Sequence, residues 1–189
     1  VLPCFGVYFS FFFAQYYTIL SSKFKKEYRL KGKEGAEHRL VCLAQHSAYL
    51  TFQRVCSSWE WKEIAEPELE SKEDQLEALL AVAMALGWGD IELRKLIPEQ
   101  ELVVRVNDSS EANTYLGESG LANRPQCHML QGVMGALMDL LYGQKYPYGC
   151  YTFSTLERFC RARGDAYCEF ISQTSRTFAW QAENLRDNQ

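Results

Sequence analysis

An excess of basic residues is missing from this 189-residue chain. Lys and Arg number 20 against 24 Asp and Glu, a formal net charge of −4. Nucleic-acid binding needs a cationic surface to neutralise phosphates, so the balance gives that class no support. No Gly-rich phosphate loop, dinucleotide fingerprint, nucleophile elbow or Ser/His/Asp arrangement stands out. Phosphoryl transfer, hydride transfer and serine hydrolysis therefore lack their usual sequence marks. Repeats and low-complexity tracts are absent, and 14% aromatic content excludes wholesale disorder. His38 and His46 are eight residues apart on one predicted helix. That spacing is too wide for an i, i+4 metal pair, and they read as surface or core-edge histidines.

What is present begins with a length that suits one domain with a real core. There are seven cysteines. An odd number on a chain of this size does not suit a secreted disulfide framework. Four of them, Cys127, Cys150, Cys160 and Cys168, cluster late in the chain, which points to metal or redox chemistry in a reducing, cytoplasmic setting. Residues 1–20 carry no charge. Pro3, Gly6, Ser10, Gln15 and Thr18 interrupt them, and Phe and Tyr supply the bulk. They read as a buried or subunit-interface helix in which Phe11, Phe12, Gln15 and Tyr16 face a partner. The other reading is a membrane anchor with Lys23, Lys25 and Lys26 on the cytoplasmic side. A cleavable signal is not expected.

Residues 22–36 are charged and Gly-containing, and are read as a solvated connection. Leu40, Leu43, Ala44, Ala48, Phe52 and Val55 recur at helical spacing over 37–55. Ser57 and Glu60 suggest a capped short helix through Trp59, Trp61 and Ile64, ended by Pro67. Ser71 and Asp74 open the best helix, with Leu76, Leu79, Leu80 and Ala83 as its stripe and Gly87 at its end. The period then changes to two. Ile91 and Leu93, followed by Leu102, Val104 and Val106, predict a hairpin with one buried face. A short helix is expected over 111–116, ending at Gly117, and a strong one over 127–142. In the latter, Gly132 and Gly135 would allow close packing against the sheet. Tyr151–Arg163 and Ala166–Ser172 read as a second hairpin. The fold class is therefore α/β of the α+β type: about four antiparallel strands in two hairpins, packed against several helices.

The chemistry sits in the second hairpin. With its turn at Gly164, residue i faces residue 328 − i, which places Cys160 opposite Cys168. Opposed residues have Cβ atoms about 4.5–5.5 Å apart, close enough for two thiolates to share a tetrahedral ion. Glu157 is three residues before Cys160, so an ideal pleat puts them on opposite faces. A bulge or a strand end would bring both to one ion. Cys127 opens a predicted helix, where the dipole favours a thiolate.

Glu157-x2-Cys160-x7-Cys168, preceded by Cys127 at a Gly-rich helix start, resembles the 4-vinyl-reductase-type domain. Such domains occur in bacteriochlorophyll biosynthesis and in phenol- and xylene-responsive activators, and share a fold with Bet-type TRAPP subunits. The resemblance covers roughly residues 76–172, including the Gly87-Trp88-Gly89 turn. It implies a zinc ion held by Cys127, Glu157, Cys160 and Cys168, with His128 or Cys150 as substitutes for Cys127. It implies an apolar pocket for a small hydrophobic ligand, for which Trp88, Tyr115, Met134 and Phe153 are the candidate lining. It also implies a homodimer formed through the N-terminal helices. The expected organisation is one domain over 1–189: a helical, dimerising part over 1–70, the zinc-bearing core over 71–173 and a tail over 174–189. The leading function is a ligand-binding sensor or carrier, more a binding module than an enzyme, acting through a downstream protein partner. Alternatives are an accessory factor or reductase acting on a vinyl tetrapyrrole, and a structural assembly subunit.

Overall fold

The computed structural model describes residues 2–5, 7–9, 14–33 and 35–174. Phe11, Phe12 and the tail beyond Thr174 lie outside the described residues. The opening segment is not one helix. A short antiparallel ribbon, β1 (Leu2–Cys4) and β2 (Val7–Phe9), precedes α1 (Ala14–Leu30). Residues 22–30 therefore continue a helix instead of forming a connection. Their lysines, Glu27 and Arg29 are straight-chain residues that lose little freedom in a helix. Phe24 and Tyr28 stack one turn apart, with centroids 5.2 Å from each other. Thr18 and Ser21 are buried, whereas Tyr16, Ile19 and Leu20 are exposed. Among the described residues, no helix is long and apolar enough to cross a membrane.

α2 (Ala36–Ser57) is the longest helix described. Its buried side holds Val41, Gln45, Ala48, Tyr49, Phe52 and Val55, while Leu43 is exposed. The stripe is rotated from the sequence expectation because Gln45 turns inward. Its amide donates to Asp139 Oδ2 and to the Phe153 carbonyl, both at 2.8 Å. The next cap is Ser58, not Ser57: Ser58 Oγ accepts from Trp61 N. The chain then makes a π-helical turn, Trp61–Ala65, and a 3-10 turn, Glu66–Glu68, that includes Pro67. Trp61 is buried there, and Trp59 and Ile64 are exposed. α3 (Lys72–Ala85) opens with the expected reciprocal Ser71–Asp74 box and buries Leu76, Leu79, Leu80 and Ala83.

β3 (Ile91–Ile97) and β4 (Glu101–Val106) form the first hairpin, with a bulge between Leu93 and Lys95. α4 (Ser110–Ser119) runs through Gly117 and stops at Gly120, whose φ of 71° ends the helix. α5 (His128–Tyr142) is almost wholly buried. β5 (Phe153–Phe159) and β6 (Cys168–Thr174) complete an antiparallel sheet of order β3-β4-β6-β5. β5 is shorter than the periodicity suggests, and β6 keeps the expected length of seven residues but begins two residues later, at Cys168. A 3-10 turn, Arg161–Arg163, and Gly164 at φ 96° occupy the connection.

α5 packs on β4, β5 and β6, and α2 packs along α5. Gly132 and Gly135 face α2, not the sheet. A Cβ on Gly132 would lie 2.6 Å from Ala44 Cβ, Gln45 N and the Val41 carbonyl oxygen. The inner faces of the strands, through Leu102, Val104, Val106, Phe153 and Phe170, complete one contiguous core with α3 and α5.

Candidate metal centre

The end of β5, the start of β6 and the start of α5 meet at one buried point. The Sγ atoms of Cys127, Cys160 and Cys168 and a carboxylate oxygen of Glu157 all lie within 4.8 Å of one another. Cys127 Sγ is 4.0 Å from Cys160 Sγ and 3.7 Å from Cys168 Sγ. A Zn–S bond near 2.3 Å at the tetrahedral angle puts two sulfurs about 3.8 Å apart, so both separations suit one ion. All four side chains are buried.

Local irregularities create this convergence. The pairing Phe159↔Glu169 obeys the symmetric register about Gly164, but Glu157 pairs with Phe170. The shift between Glu157 and Phe159 is a bulge, and it resets the pleat. Glu157 thereby turns to the inner side with Cys168. Cys160 lies one residue beyond the strand, where its N–H donates to Asp165 Oδ2 at 2.8 Å. Cys127 is the N-cap residue of α5.

The donor set passes a direct test of fit. Glu157 Oε2 accepts the Cys127 N–H at 3.0 Å, which fixes the carboxylate. Its other oxygen, Oε1, is buried and accepts no hydrogen bond. A carboxylate oxygen in that position is costly, and a cation satisfies it. The sulfurs have their own donors. Arg161 N–H points at Cys168 Sγ, 3.3 Å away. Ser109 Oγ accepts from Ala112 N and lies 3.3 Å from Cys127 Sγ, which leaves its proton for the sulfur. Such outer contacts orient ligands and spread their charge.

Burial pushes the Glu157 carboxyl up to about 9, with the Cys160 thiol adding to it. Burial likewise holds Cys127 well above its ordinary value, reinforced by Cys160 and Cys168. The helix dipole expected to favour a Cys127 thiolate is thus outweighed. Cys160 takes the opposite course: hydrogen bonds from Cys127 and then Cys168 bring it down to about 2. The Cys127 contact works to lower Cys168, but its bond to Cys160 and burial leave it raised. The surroundings thus favour the neutral forms of three of the four groups, and a bound cation would favour their ionised forms. The buried Cys/Glu cluster could hold a metal ion.

The two sequence alternatives to Cys127 fall elsewhere. His128 Nε2 faces Lys25 Nζ at 3.4 Å, and burial lowers the imidazole to about 4. Cys150 is buried near Asp139, whose carboxylate accepts from Tyr151 N and Phe153 N. The four pocket candidates are dispersed. Met134 and Phe153 are fully buried core residues, and Trp88 is half-buried. Tyr115 lines an open groove of about 1080 Å³ beside α1.

Sequence reasoning missed Ser109, Arg161 N and Glu111. The Glu111 carboxylate accepts from Met129 N and Leu130 N and so caps α5 from 18 residues away. No local pattern announces so remote a cap. Asp165 was more accessible, since a Gly-Asp pair marks a turn.

No family model matches the sequence, and no curated protein matches it. Solved structures do match. The phenol-responsive sensory domain of the transcription activator PoxR, with phenol, is 16% identical and has a TM-score of 0.66. The match covers 88% of this chain and 76% of that one. A trafficking protein particle complex subunit 3 from Naegleria fowleri, covalently bound to palmitic acid, is 10% identical with a TM-score of 0.57, covering 86% and 95%. A vinyl-4-reductase family protein from Methanocaldococcus jannaschii is 14% identical with a TM-score of 0.51, covering 88% and 84%. Helices over a four-stranded antiparallel sheet, with this order and these neighbours, give the chain the α+β fold of the 4-vinyl-reductase-type domains and TRAPP subunits.

Proposed function

We propose that the chain is a zinc-pinned sensor domain for a small hydrophobic or aromatic molecule, with Cys127, Glu157, Cys160 and Cys168 holding the zinc. The observation that carries this reading is the likeness, over 88% of the chain, to a sensory domain solved with phenol. The ion's role is to tie α5 to the β5–β6 connection. Four protein donors leave no open position, which suits a structural site. Residues 1–70 form the dimerising part in this reading, and the dimer or a protein partner transmits the ligand's presence. Tyr16, Ile19 and Leu20, exposed along α1, support such a face.

Metal loading has a proton signature. Hydrogen bonds from its neighbours favour the ionised form of Cys160, whereas burial favours the protonated forms of Cys127 and Glu157, and the bond to Cys160 together with burial favours that of Cys168. Zinc binding at pH 7 is expected to release about three protons. Affinity therefore rises with pH and falls as the ligands are protonated. Calorimetric titration in buffers of different ionisation enthalpy reads the number directly. A release of about one proton would contradict a four-donor site.

The function itself is tested by thermal unfolding of the zinc-loaded chain with phenol, a fatty acid or a porphyrin added. A ligand at a hundred times its Kd adds about 2.7 kcal/mol, so phenol is expected to give a saturable rise in Tm. No rise with any of the three would reject the sensor in favour of a structural assembly subunit. The full burial of Met134 and Phe153 already fits that second reading.

A further inference from the structure

The groove beside α1 plays no part in the metal centre. It lies between α1, the start of α2 and the segment ahead of α5. Among the described residues, Lys25, Lys26, Arg29, Lys33 and Arg124 line it, against one carboxylate, Glu37. That sign is opposite to the chain's net charge of −4. Among the described residues, no ion pair neutralises any of the five cations. Some are held in place by neutral groups. Lys25 Nζ donates to Gln126 Oε1 at 2.6 Å and sits 5.9 Å from the Tyr115 ring centroid. Lys33 Nζ lies 5.6 Å from the Tyr28 ring centroid. Like charges fixed together repel, and an anion between them relieves the repulsion. Gly35, the N-cap of α2, adds the positive end of that helix without a capping side chain.

Shape and extent narrow the class of anion. The groove is concave, and its volume of about 1080 Å³ is that of a small-molecule site. The chain's net charge of −4 does not suit a nucleic acid, which needs a broad cationic surface. Tyr115 gives one wall an aromatic ring. We propose that this groove binds a soluble phosphate-bearing molecule of nucleotide size, its anionic groups on Lys26, Arg29, Lys33 and Arg124 and its body beside Tyr115. The proposal stands on the groove's own cations and does not rest on the sensor reading.

ATP without added metal serves as the probe, titrated calorimetrically into the full zinc-loaded chain. Saturable binding is expected, weakening as salt rises from about 0.05 to about 0.2 M. The double variant Lys26→Glu with Arg29→Glu changes exposed side chains of α1. It is expected to weaken ATP binding at least about tenfold while keeping its far-ultraviolet spectrum and its response to phenol. Lys62→Glu, exposed on the π-helical turn, is expected to bind ATP as the parent does. Absence of ATP binding, or equal binding by the double variant, would overturn the proposal. Flotation with phosphatidylcholine vesicles at about 30 mol% phosphatidylserine separates the sources. Binding to vesicles without binding to ATP would assign the cations to a lipid surface and overturn it too.

Discussion

Cys168→Ser is expected to abolish stoichiometric zinc and to lower the unfolding midpoint by about 8–16 °C. Glu157, Cys160 and Cys168 sit on one hairpin and Cys127 at the start of α5, 30 residues before Glu157, so a bound ion would close the loop between α5 and the β5–β6 connection. Structural zinc sites contribute on the order of 10 kcal/mol or more to folding of small units. A chain of this length has about 5–15 kcal/mol in total, and part of the cluster's packing survives without metal. The expected loss is about 4 kcal/mol, and each kcal/mol moves the midpoint about 2–4 °C in this size range. Chelation of the parent protein is expected to give a similar shift, and chelation of Cys168→Ser none. Cys150→Ser is the control. That cysteine is buried outside the cluster, so its replacement costs stability but leaves one zinc per chain. Parent protein prepared under reducing, chelator-free conditions with no zinc, and a Cys168→Ser midpoint equal to the parent's, would remove the centre from the account.

Much of this centre was legible in the sequence because it is written in short spacings. Cys160 and Cys168 flank a Gly-Asp turn, and their mutual approach comes from hairpin symmetry. The spacing of Glu157 called for a bulge or a strand end and left the two open; the bulge lies between Glu157 and Phe159. Ser109 and Glu111 act on α5 from another element, and tertiary contacts of that kind leave no periodic trace. The same limit explains the misreading of residues 22–30. Their charge density resembles a solvated loop, yet a helix with one wet face has the same composition. The uncharged opening run read as a helix because apolar period was the only signal, while the ribbon over residues 2–9 depends on pairing. Gly132 and Gly135 announced close packing but not the partner. A small residue records that something comes near, and only the fold says that it is α2.

That partner makes Gly132→Ala the second large effect. Glycine inside a helix costs about 1 kcal/mol relative to alanine, so an alanine in open space stabilises. Gly117 in α4 is such a place, with nothing within 4 Å of the added Cβ, and Gly117→Ala is expected to gain up to about 1 kcal/mol. At Gly132 the same methyl would meet Ala44 Cβ, Gln45 N and the Val41 carbonyl oxygen, each at 2.6 Å. Two of the three are backbone atoms of α2, so the whole helix must withdraw. Withdrawal would stretch the bonds that Gln45 makes to Asp139 and the Phe153 carbonyl, both 2.8 Å long. Overpacking costs typically about 1–3 kcal/mol, occasionally more, and the broken buried bonds about 1–3 kcal/mol further. Against the propensity gain, Gly132→Ala is expected to lose about 2–4 kcal/mol, read by urea denaturation. Adding Ala44→Gly removes one of the three contacts and is expected to restore only part of the loss, because the backbone atoms remain. Opposite signs at Gly117 and Gly132 are the decisive outcome. A stabilised Gly132→Ala would mean that α2 does not lie along α5 at this distance, and the core that holds α5 and Cys127 in place would need a different construction.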